Sequence, residues 1–386
     1  MRVCIAQNVS LADHLALSTY LRSITKYLAK QESIELVLLP LKGSHIPSDI
    51  PQNIEIHEIE GSLYSIKGNI KYAYNLYKKI SELSKEKPID IIHCLYPNSA
   101  ILGACLFKRK SPNTKIIYDI RSPWIEMSIE KKTIPKFMIP IYRMLAYQSE
   151  RTLAKHVDGF IFITEGLKKF YEGLIELDNK PTTVIPSGVD IDMFSSIDKK
   201  NAIRTKYKIS EEDFLIGYVG VISKMRELDF ILNTFKNLIN NNKKYKLMFV
   251  GDGDAKEYLE KLSTELKIQD NVIFTGRVPY EQVPYYMSEF NLGLCHLPDK
   301  FVFRYSFPMK VLEYLACGIP VLASDIEAHR EIAMQVDNIR LYKNEEEALT
   351  VSLYNFSNLK PDNKRIQDFS WFNLTNKIID SYKRVL

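Results

Sequence analysis

The sequence predicts an α/β protein made of two doubly wound, parallel-sheet, Rossmann-like domains that face a central cleft. Three observations carry that prediction. The chain has 386 residues, too many for one ordinary core, since domains usually run to about 100–200 residues. Short apolar runs alternate with amphipathic stretches from end to end, the pattern of βαβ units whose sheet is covered on both faces. The pattern halts at a turn signal, Pro186-Ser187-Gly188, and a charged segment, Asp198–Glu212, and then starts again.

In the first half, strands are expected at Val3–Gln7, Ile34–Leu39, Ile54–Ile59, Ile89–Cys94, Lys115–Asp119, Gly159–Ile163 and Thr183–Ile185. The longest helices are expected over about Leu15–Lys30, Tyr72–Ser84 and Lys136–Lys155, where apolar residues recur at three- and four-residue steps. The second half repeats the scheme with strands at Leu215–Val219, Lys246–Val250, Val272–Thr275, Leu292–Cys295, Pro320–Ala323 and Arg340–Tyr342. Phe369–Leu386 reads as an amphipathic helix after a polar linker around Lys360–Lys364, and is expected to cross back to the first domain. The expected division is therefore 1–186, 187–365, and 366–386 as the returning helix. Ligands of doubly wound sheets bind at the carboxyl ends of the strands, which makes the cleft the expected active site.

Composition narrows the function. Hydrophobic residues make up 46% and charged residues 26% of the chain, the balance of a soluble globular protein. The net charge of +5 arises in the first half, where residues 1–190 hold 25 Lys+Arg against 20 Asp+Glu, while residues 191–386 hold 27 of each. That excess suits an anionic membrane surface or a phosphate-bearing substrate, and is too small and too dispersed for a nucleic-acid binder. The five cysteines, Cys4, Cys94, Cys105, Cys295 and Cys317, lie far apart in apolar runs. They read as buried thiols of a cytoplasmic protein, without a Cys-x-x-Cys pair or Cys/His cluster to hold zinc. No signal peptide and no apolar run of 18 residues is evident, so a soluble or peripheral protein is expected. The Asn-x-Ser/Thr matches at Asn8, Asn355 and Asn373 read as chance.

The most informative segment is Ser306–Asp325, SFPMKVLEYLACGIPVLASD. Pro308 marks a helix start and Gly318, followed by Pro320, its end. Amide groups around Met309 and Lys310, together with the Lys310 ammonium, would make an anion site suited to a pyrophosphate. Glu313 stands three residues on, on the same helix face, where a carboxylate can accept hydrogen bonds from both hydroxyls of a ribose. Spacing alone equally allows a solvated Lys310–Glu313 ion pair.

This segment resembles the signature of the large retaining glycosyltransferase family 4, of GT-B fold, whose corresponding glutamate binds the donor ribose; here it is Glu313. Further matches follow in order: Val184–Phe194 (VIPSGVDIDMF), Gly217–Leu232 (GYVGVISKMRELDFIL), Leu247–Asp254 (LMFVGDGD) and Val272–Leu294 (VIFTGRVPYEQVPYYMSEFNLGL). Each alone is weak, but their order and spacing are specific. The resemblance places Arg226 on the donor diphosphate, where a guanidinium neutralises leaving-group charge without metal. The plainer alternative is a surface charge balanced by Glu227 and Asp229. Gly276 and Val278 fall where the family's backbone approaches the base, though Gly276 also reads as a turn residue.

Three departures matter. Tyr118–Trp124 (YDIRSPW) resembles the strand end whose histidine faces the reacting sugar, but this chain has Arg121, which cannot act as a base at neutral pH. It is expected either to bind sugar or phosphate, or to pair structurally with Asp119 or Glu126. Tyr305 replaces a glutamate that touches donor sugar hydroxyls, leaving Arg304, Ser306 and Tyr305 as candidates for those contacts. The usual N-terminal glycine pair is absent; Val9–His14 stands there, with Asp13 and His14 either at the site or capping the next helix. His93 reads as a satisfied buried histidine more readily than a functional one.

The reading is a metal-independent retaining transferase with no cofactor. It would move a hexosyl or N-acetylhexosaminyl group from a UDP- or GDP-sugar to a hydroxyl of a glycan or lipid-linked acceptor, in polysaccharide or glycoconjugate synthesis. Arg121, Arg226 and Lys310 are the catalytic candidates, and Glu313, Gly276, Val278, Ser306, Met309 and Tyr305 the donor-binding ones. Rivals on the same architecture are a sugar-nucleotide epimerase or phosphorylase, or a non-catalytic sugar-nucleotide-binding partner. The stretch 129–151 mixes Lys131, Lys132, Lys136 and Arg143 with Phe137, Met138, Ile139, Ile141 and Leu145. It reads equally as a peripheral membrane contact and as a core helix with a basic outer face.

Overall fold

The computed structural model describes residues 1–13, 16–43, 45–130, 134–177, 179–195, 197, 202–241, 244–343, 345, 349–350, 353 and 364–386. His14, Lys131, Lys132, Asn355 and most of the linker around 360–364 lie outside the described residues. The chain forms two compact units, one of Met1–Ser187 with Trp371–Leu386 and one of Gly188–Ser370.

The first unit holds seven strands: β1 (Arg2–Gln7), β2 (Glu35–Pro40), β3 (Glu55–Ile56), β4 (Ile91–Leu95), β5 (Lys115–Ile120), β6 (Gly159–Phe162) and β7 (Thr182–Val184). Their order is β3-β2-β1-β4-β5-β6-β7, every pairing parallel. The central strands are buried from end to end, which is why they read as continuous apolar runs rather than alternating ones. Between them lie α1 (Ala16–Leu28), α2 (Ile66–Glu86), α3 (Ser99–Lys108), α4 (Trp124–Glu130), α5 (Ile139–Ala154) and α6 (Glu165–Glu172). Each strand expected from the sequence is present, though edge strand β3 is only two residues long.

Helix α2 starts six residues before the expected Tyr72. The Ser65 hydroxyl caps it by accepting from the Gly68 amide at 3.0 Å. Its first turns point Ile66 and Ile70 into solvent, 80% and 58% exposed, so a search for a buried stripe begins too late.

The second unit restarts with β8 (Phe214–Val219), β9 (Tyr245–Val250), β10 (Val272–Gly276), β11 (Leu292–Cys295), β12 (Val321–Ser324) and β13 (Ile339–Tyr342). The order β10-β9-β8-β11-β12-β13 is again wholly parallel. Its helices are α7 (Ile191–Ser195), α8 (Ala202–Lys206), α9 (Asp229–Asn241), α10 (Lys256–Glu265), α11 (Val283–Met287), α12 (Phe301–Arg304), α13 (Met309–Ala316) and α14 (Glu327–Ala333). The order reverses direction between β8 and β11, and at such a switch point the strand ends splay to leave a ligand crevice.

That point is tightly built. Gly217 of β8 and Gly293 of β11 are register partners. A Cβ on the first would lie 1.9 Å from the Phe290 ring, and one on the second 2.5 Å from the Tyr314 ring. The missing side chains let both rings lie on the sheet. Tyr314 then donates its hydroxyl to the Gly217 carbonyl at 3.1 Å and accepts from the Val219 amide at 2.9 Å, locking α13 onto β8.

The last helix, α15 (Trp371–Val385), packs on the first unit. It buries Trp371, Leu374, Ile378 and Tyr382 at helical spacing, and each large apolar side chain so covered contributes roughly 1.5–3 kcal/mol. Trp371 meets the Tyr20 ring at 5.7 Å, and the Tyr382 hydroxyl shares a 2.7 Å hydrogen bond with His93 Nδ1.

Candidate active site

The carboxyl ends of β8, β9 and β10 run into Gly220, Gly251–Gly253 and Gly276. Gly220 has φ +136°, a conformation L side chains rarely adopt, and a Cβ there would lie 2.7 Å from Lys310 Nζ. The ammonium of Lys310, from the first turn of α13, is thus pressed against the turn that ends the unit's first strand. It lies 4.4 Å from the centroid of the Tyr218 ring. Its nitrogen is buried and has no hydrogen-bond partner among the described residues.

An unpaired buried ammonium costs several kcal/mol, of which a cation–π contact returns roughly 0.5–2. The remainder fits a group waiting for an anion. A second cation adds to the demand: the half-buried Arg226 donates from Nη1 to the Tyr218 hydroxyl at 3.3 Å. Glu227, an expected counter-charge for Arg226, instead pairs with Lys300 at 2.7 Å. Tyr218 therefore holds both cations, one on its ring and one on its hydroxyl, which itself donates to the Val221 carbonyl at 3.1 Å.

The positive field registers on two neighbouring histidines. Burial pushes His296 down to about 3, with His329, Arg226 and Lys310 adding to the shift. Burial takes His329 down to about 4, with Lys310 contributing. Both rings are neutral at pH 7 and hydrogen-bonded, His296 to the Tyr342 hydroxyl at 2.6 Å and His329 to the Ser324 carbonyl at 2.7 Å. An anion bound here would meet fixed positive charge in a partly desolvated setting, where electrostatic attraction is strong.

Glu313 is buried, at 8% exposure. Its Oε1 accepts from the Tyr280 hydroxyl at 2.9 Å, and no ion pair joins it to Lys310 among the described residues. The solvated pair that spacing allowed is not formed. Burial raises the Glu313 pKa, opposed by the Tyr280 hydrogen bond and by the charge of Lys310. Gly276 has φ +73° with open space where a Cβ would project, and Val278 packs its side chain against the core of its unit.

Several expected contacts are committed elsewhere. The helix begins at Met309 with Pro308 in the capping position, and the Met309 amide donates to the Phe307 carbonyl at 3.1 Å, so it is not free for an anion. Ser306 donates its hydroxyl to the Phe303 carbonyl at 2.9 Å, closing the end of α12. Arg304 makes a two-pronged pair with Asp299, and half-buried Tyr305 packs edge-on against Phe301 at 5.1 Å. Asp13 accepts from the Ser10 amide at 3.3 Å in its own loop.

In the first unit, Arg121 takes the structural alternative. Its guanidinium donates to the Ile185 carbonyl at 2.8 Å and the Ser187 hydroxyl at 3.0 Å, lies 3.5 Å from Asp119, and stacks 3.8 Å above the Tyr20 ring. Asp119 also accepts from Tyr20 at 2.8 Å and meets His93 Nε2 at 3.3 Å. Burial opposes its charge, yet Arg121 and His93 carry the balance and hold its pKa below the usual range. Glu126 is engaged by Arg143 through two 2.8 Å bonds. Sequence reasoning missed Tyr218 and Tyr280, because tyrosines in a strand and after a turn carry no spacing that marks them as partners of Lys310, Arg226 and Glu313.

No helix among the described residues is long and apolar enough to cross a membrane, and no group of three or more His, Cys, Asp or Glu there is arranged to hold a metal ion.

Two family models divide the chain between them. Residues 17–193 match "Glycosyltransferase Family 4" and residues 199–367 match "Glycosyl transferases group 1". The chain belongs to glycosyltransferase family 4. Relatives in sequence include an uncharacterized glycosyltransferase of Methanocaldococcus jannaschii, MJ1059, 25% identical over 277 residues and 70% of this chain. Another is the alpha-monoglucosyldiacylglycerol synthase of Streptococcus pneumoniae, 26% identical over 264 residues and 66% of this chain. The alignments span 63% and 56% of those proteins' lengths. Among solved structures, Anabaena HepE in complex with UDP superposes with a TM-score of 0.73 at 15% identity, over 99% of this chain and 100% of that one. The family 4 chain thus has the GT-B fold.

Proposed function

We propose that this family 4 protein transfers a hexosyl or N-acetylhexosaminyl group, with retention of configuration, from a UDP- or GDP-sugar to a hydroxyl of a glycan or lipid-linked acceptor. The observation that carries the reading is the buried, unpartnered ammonium of Lys310 beside Gly220, with Arg226 on the same tyrosine and Glu313 one turn further along the helix. Two cations neutralise the nucleoside diphosphate as it departs, so that leaving-group charge is met by side chains already in place. The Glu313 carboxylate accepts from the ribose, which fixes the donor's position along α13. UDP in HepE, and the lipid product named for the Streptococcus pneumoniae relative, support this choice of donor and acceptor classes.

Helix α5 and the turn before it support an acceptor at a membrane. Phe137, Ile141, Met144 and Leu145 are 82%, 58%, 63% and 60% exposed, and Lys136 stands beside them. An apolar stripe with a basic flank suits the inner face of an anionic bilayer and a cytoplasmic, peripheral protein.

The test is a donor panel. UDP- and GDP-sugars are ranked by the rise they cause in melting temperature, then tried on Glu313→Ala. The mutant is expected to lose most of the rise with the best donor. Equal rises in mutant and parent would remove Glu313 from the donor site. Product anomers read by NMR, and activity with and without a chelator, test retention and metal independence. Co-sedimentation with phosphatidylglycerol vesicles, compared between the parent and an Ile141→Glu/Leu145→Glu double mutant, tests the membrane contact.

A further inference from the structure

We infer that Tyr280 is a positioning residue of the donor site, which holds the Glu313 carboxylate turned away from Lys310 and so sets selectivity for a ribose over a deoxyribose. The inference rests on the donor-site reading above and adds a residue that neither spacing nor family signature marks.

Among the described residues, the only hydrogen-bond donor to the Glu313 carboxylate is the Tyr280 hydroxyl, at 2.9 Å from Oε1. Tyr280 opens a short 3-10 turn, Tyr280–Gln282, just after β10. Three features fix where its ring goes. Pro279 before it is extended, at φ −56° and ψ 144°. Val278 is anchored in the unit's core, and Phe194 meets the Tyr280 ring edge-on at 6.0 Å. A phenol needs two torsions to place its hydroxyl, and here the ring lies edge-on against Phe194 and follows an anchored Val278, so the donor is set before any ligand arrives.

Glu313 has three side-chain torsions and two competing partners. Lys310 lies three residues earlier on the same helix, within the range at which a carboxylate and an ammonium pair. That pair would occupy the group meant for phosphate and the group meant for ribose at once. The structure shows it unformed, with Lys310 on Tyr218 and Glu313 on Tyr280. An ionised carboxylate offers about four lone-pair sites. With Tyr280 on Oε1, capacity remains for a vicinal diol, whose two hydroxyls donate in parallel. Tyr280 is itself 40% exposed, so its removal opens no core cavity.

The experiment compares dissociation constants by calorimetry for UDP and 2′-deoxy-UDP, and for GDP and 2′-deoxy-GDP, on the parent, Tyr280→Phe and Glu313→Ala. The parent is expected to prefer the ribonucleotide by about tenfold or more, the scale of one hydrogen bond to a charged acceptor. Tyr280→Phe is expected to reduce that ratio at least threefold, whatever happens to absolute affinity, because a mobile carboxylate no longer presents both oxygens to the diol. A general loss of packing would weaken both nucleotides alike and leave the ratio unchanged. An unchanged ratio in Tyr280→Phe with a ratio near one in Glu313→Ala overturns the role of Tyr280 alone. A parent-like ratio in Glu313→Ala, or no preference in the parent, overturns the ribose assignment and this inference with it.

Discussion

Replacing Lys310 by Met separates a binding group from a structural one, because the two roles predict opposite signs. Methionine keeps the length and most of the volume of lysine while deleting the charge. In the free protein the ammonium is buried without a hydrogen-bond partner and leans on the Tyr218 ring at 4.4 Å. Leaving a buried charged donor unsatisfied costs about 1–3 kcal/mol or more, against roughly 0.5–2 kcal/mol regained from the aromatic face. The free Lys310→Met protein is therefore expected to be as stable as the parent or up to about 2 kcal/mol more stable. With a nucleoside diphosphate bound the sign reverses. One lost charge-assisted contact to phosphate, at about 2.7 kcal/mol, raises the dissociation constant roughly a hundredfold. At a ligand concentration near 100 times the parent's dissociation constant, linkage stabilises the parent by about 2.7 kcal/mol and the mutant by only about 0.4 kcal/mol. Urea denaturation with and without UDP or GDP measures both numbers in one series. A mutant that is less stable than the parent when free, yet keeps the full ligand-induced gain, would refute the anion-site argument.

Three further outcomes follow from particular contacts. Tyr218→Phe keeps the ring under Lys310 and removes the hydroxyl that accepts from Arg226 at 3.3 Å; calorimetry should show about fivefold weaker diphosphate binding, the scale of one modest hydrogen bond, and unchanged affinity would detach Arg226 from the site. Arg121→Lys cannot reproduce a fork that reaches Ile185, Ser187 and Asp119 while lying on Tyr20; a loss of about 3 kcal/mol in urea unfolding is expected from the disrupted buried network, and a loss below about 0.5 kcal/mol would show the contacts to be incidental. Glu150, buried among Tyr96, Tyr118 and Tyr171, is pushed up to about 7 by desolvation. A carboxyl whose folded pKa lies above its unfolded one favours the folded state most below the unfolded pKa and loses that contribution as pH rises to about 7. Glu150→Gln keeps an oxygen for the Tyr118 and Tyr171 hydroxyls, each at 3.2 Å, and should remove stability differences on the order of 3 kcal/mol between pH 5 and pH 8. Parallel stability profiles for parent and mutant would place the carboxyl's titration elsewhere.

The strands were legible because a parallel sheet covered on both faces needs unbroken apolar runs. Thirteen expected strands match β1 to β13 within a few residues, and the runs are unbroken in central strands such as β1 and β4. Where runs misled, exposure explains it: Ile66 and Ile70 are apolar but face solvent, which hid the start of α2. Segment Ser306–Asp325 revealed α13 and its ending glycine through local rules of backbone conformation, with Gly318 at φ +74°. The same local rules counted the Met309 amide among the free ones, although it bonds Phe307, because that bond depends on how the chain enters the helix.

By itself the amino-acid order determined the alternation of strands and helices, the restart near Gly188, and the placing of a lysine and a glutamate three residues apart on one helix. All of these rest on periodicity or on interactions within a few residues, which any stretch of chain displays. Only the tertiary structure decided what those groups touch. It put Tyr218 between Lys310 and Arg226, turned Glu313 towards a tyrosine 33 residues distant, and drew Arg121 into a buried network with Tyr20, Asp119 and Ser187. A charge's partner is chosen by where distant strands end and by the cost of burying it unpaired, and neither quantity is written in local spacing.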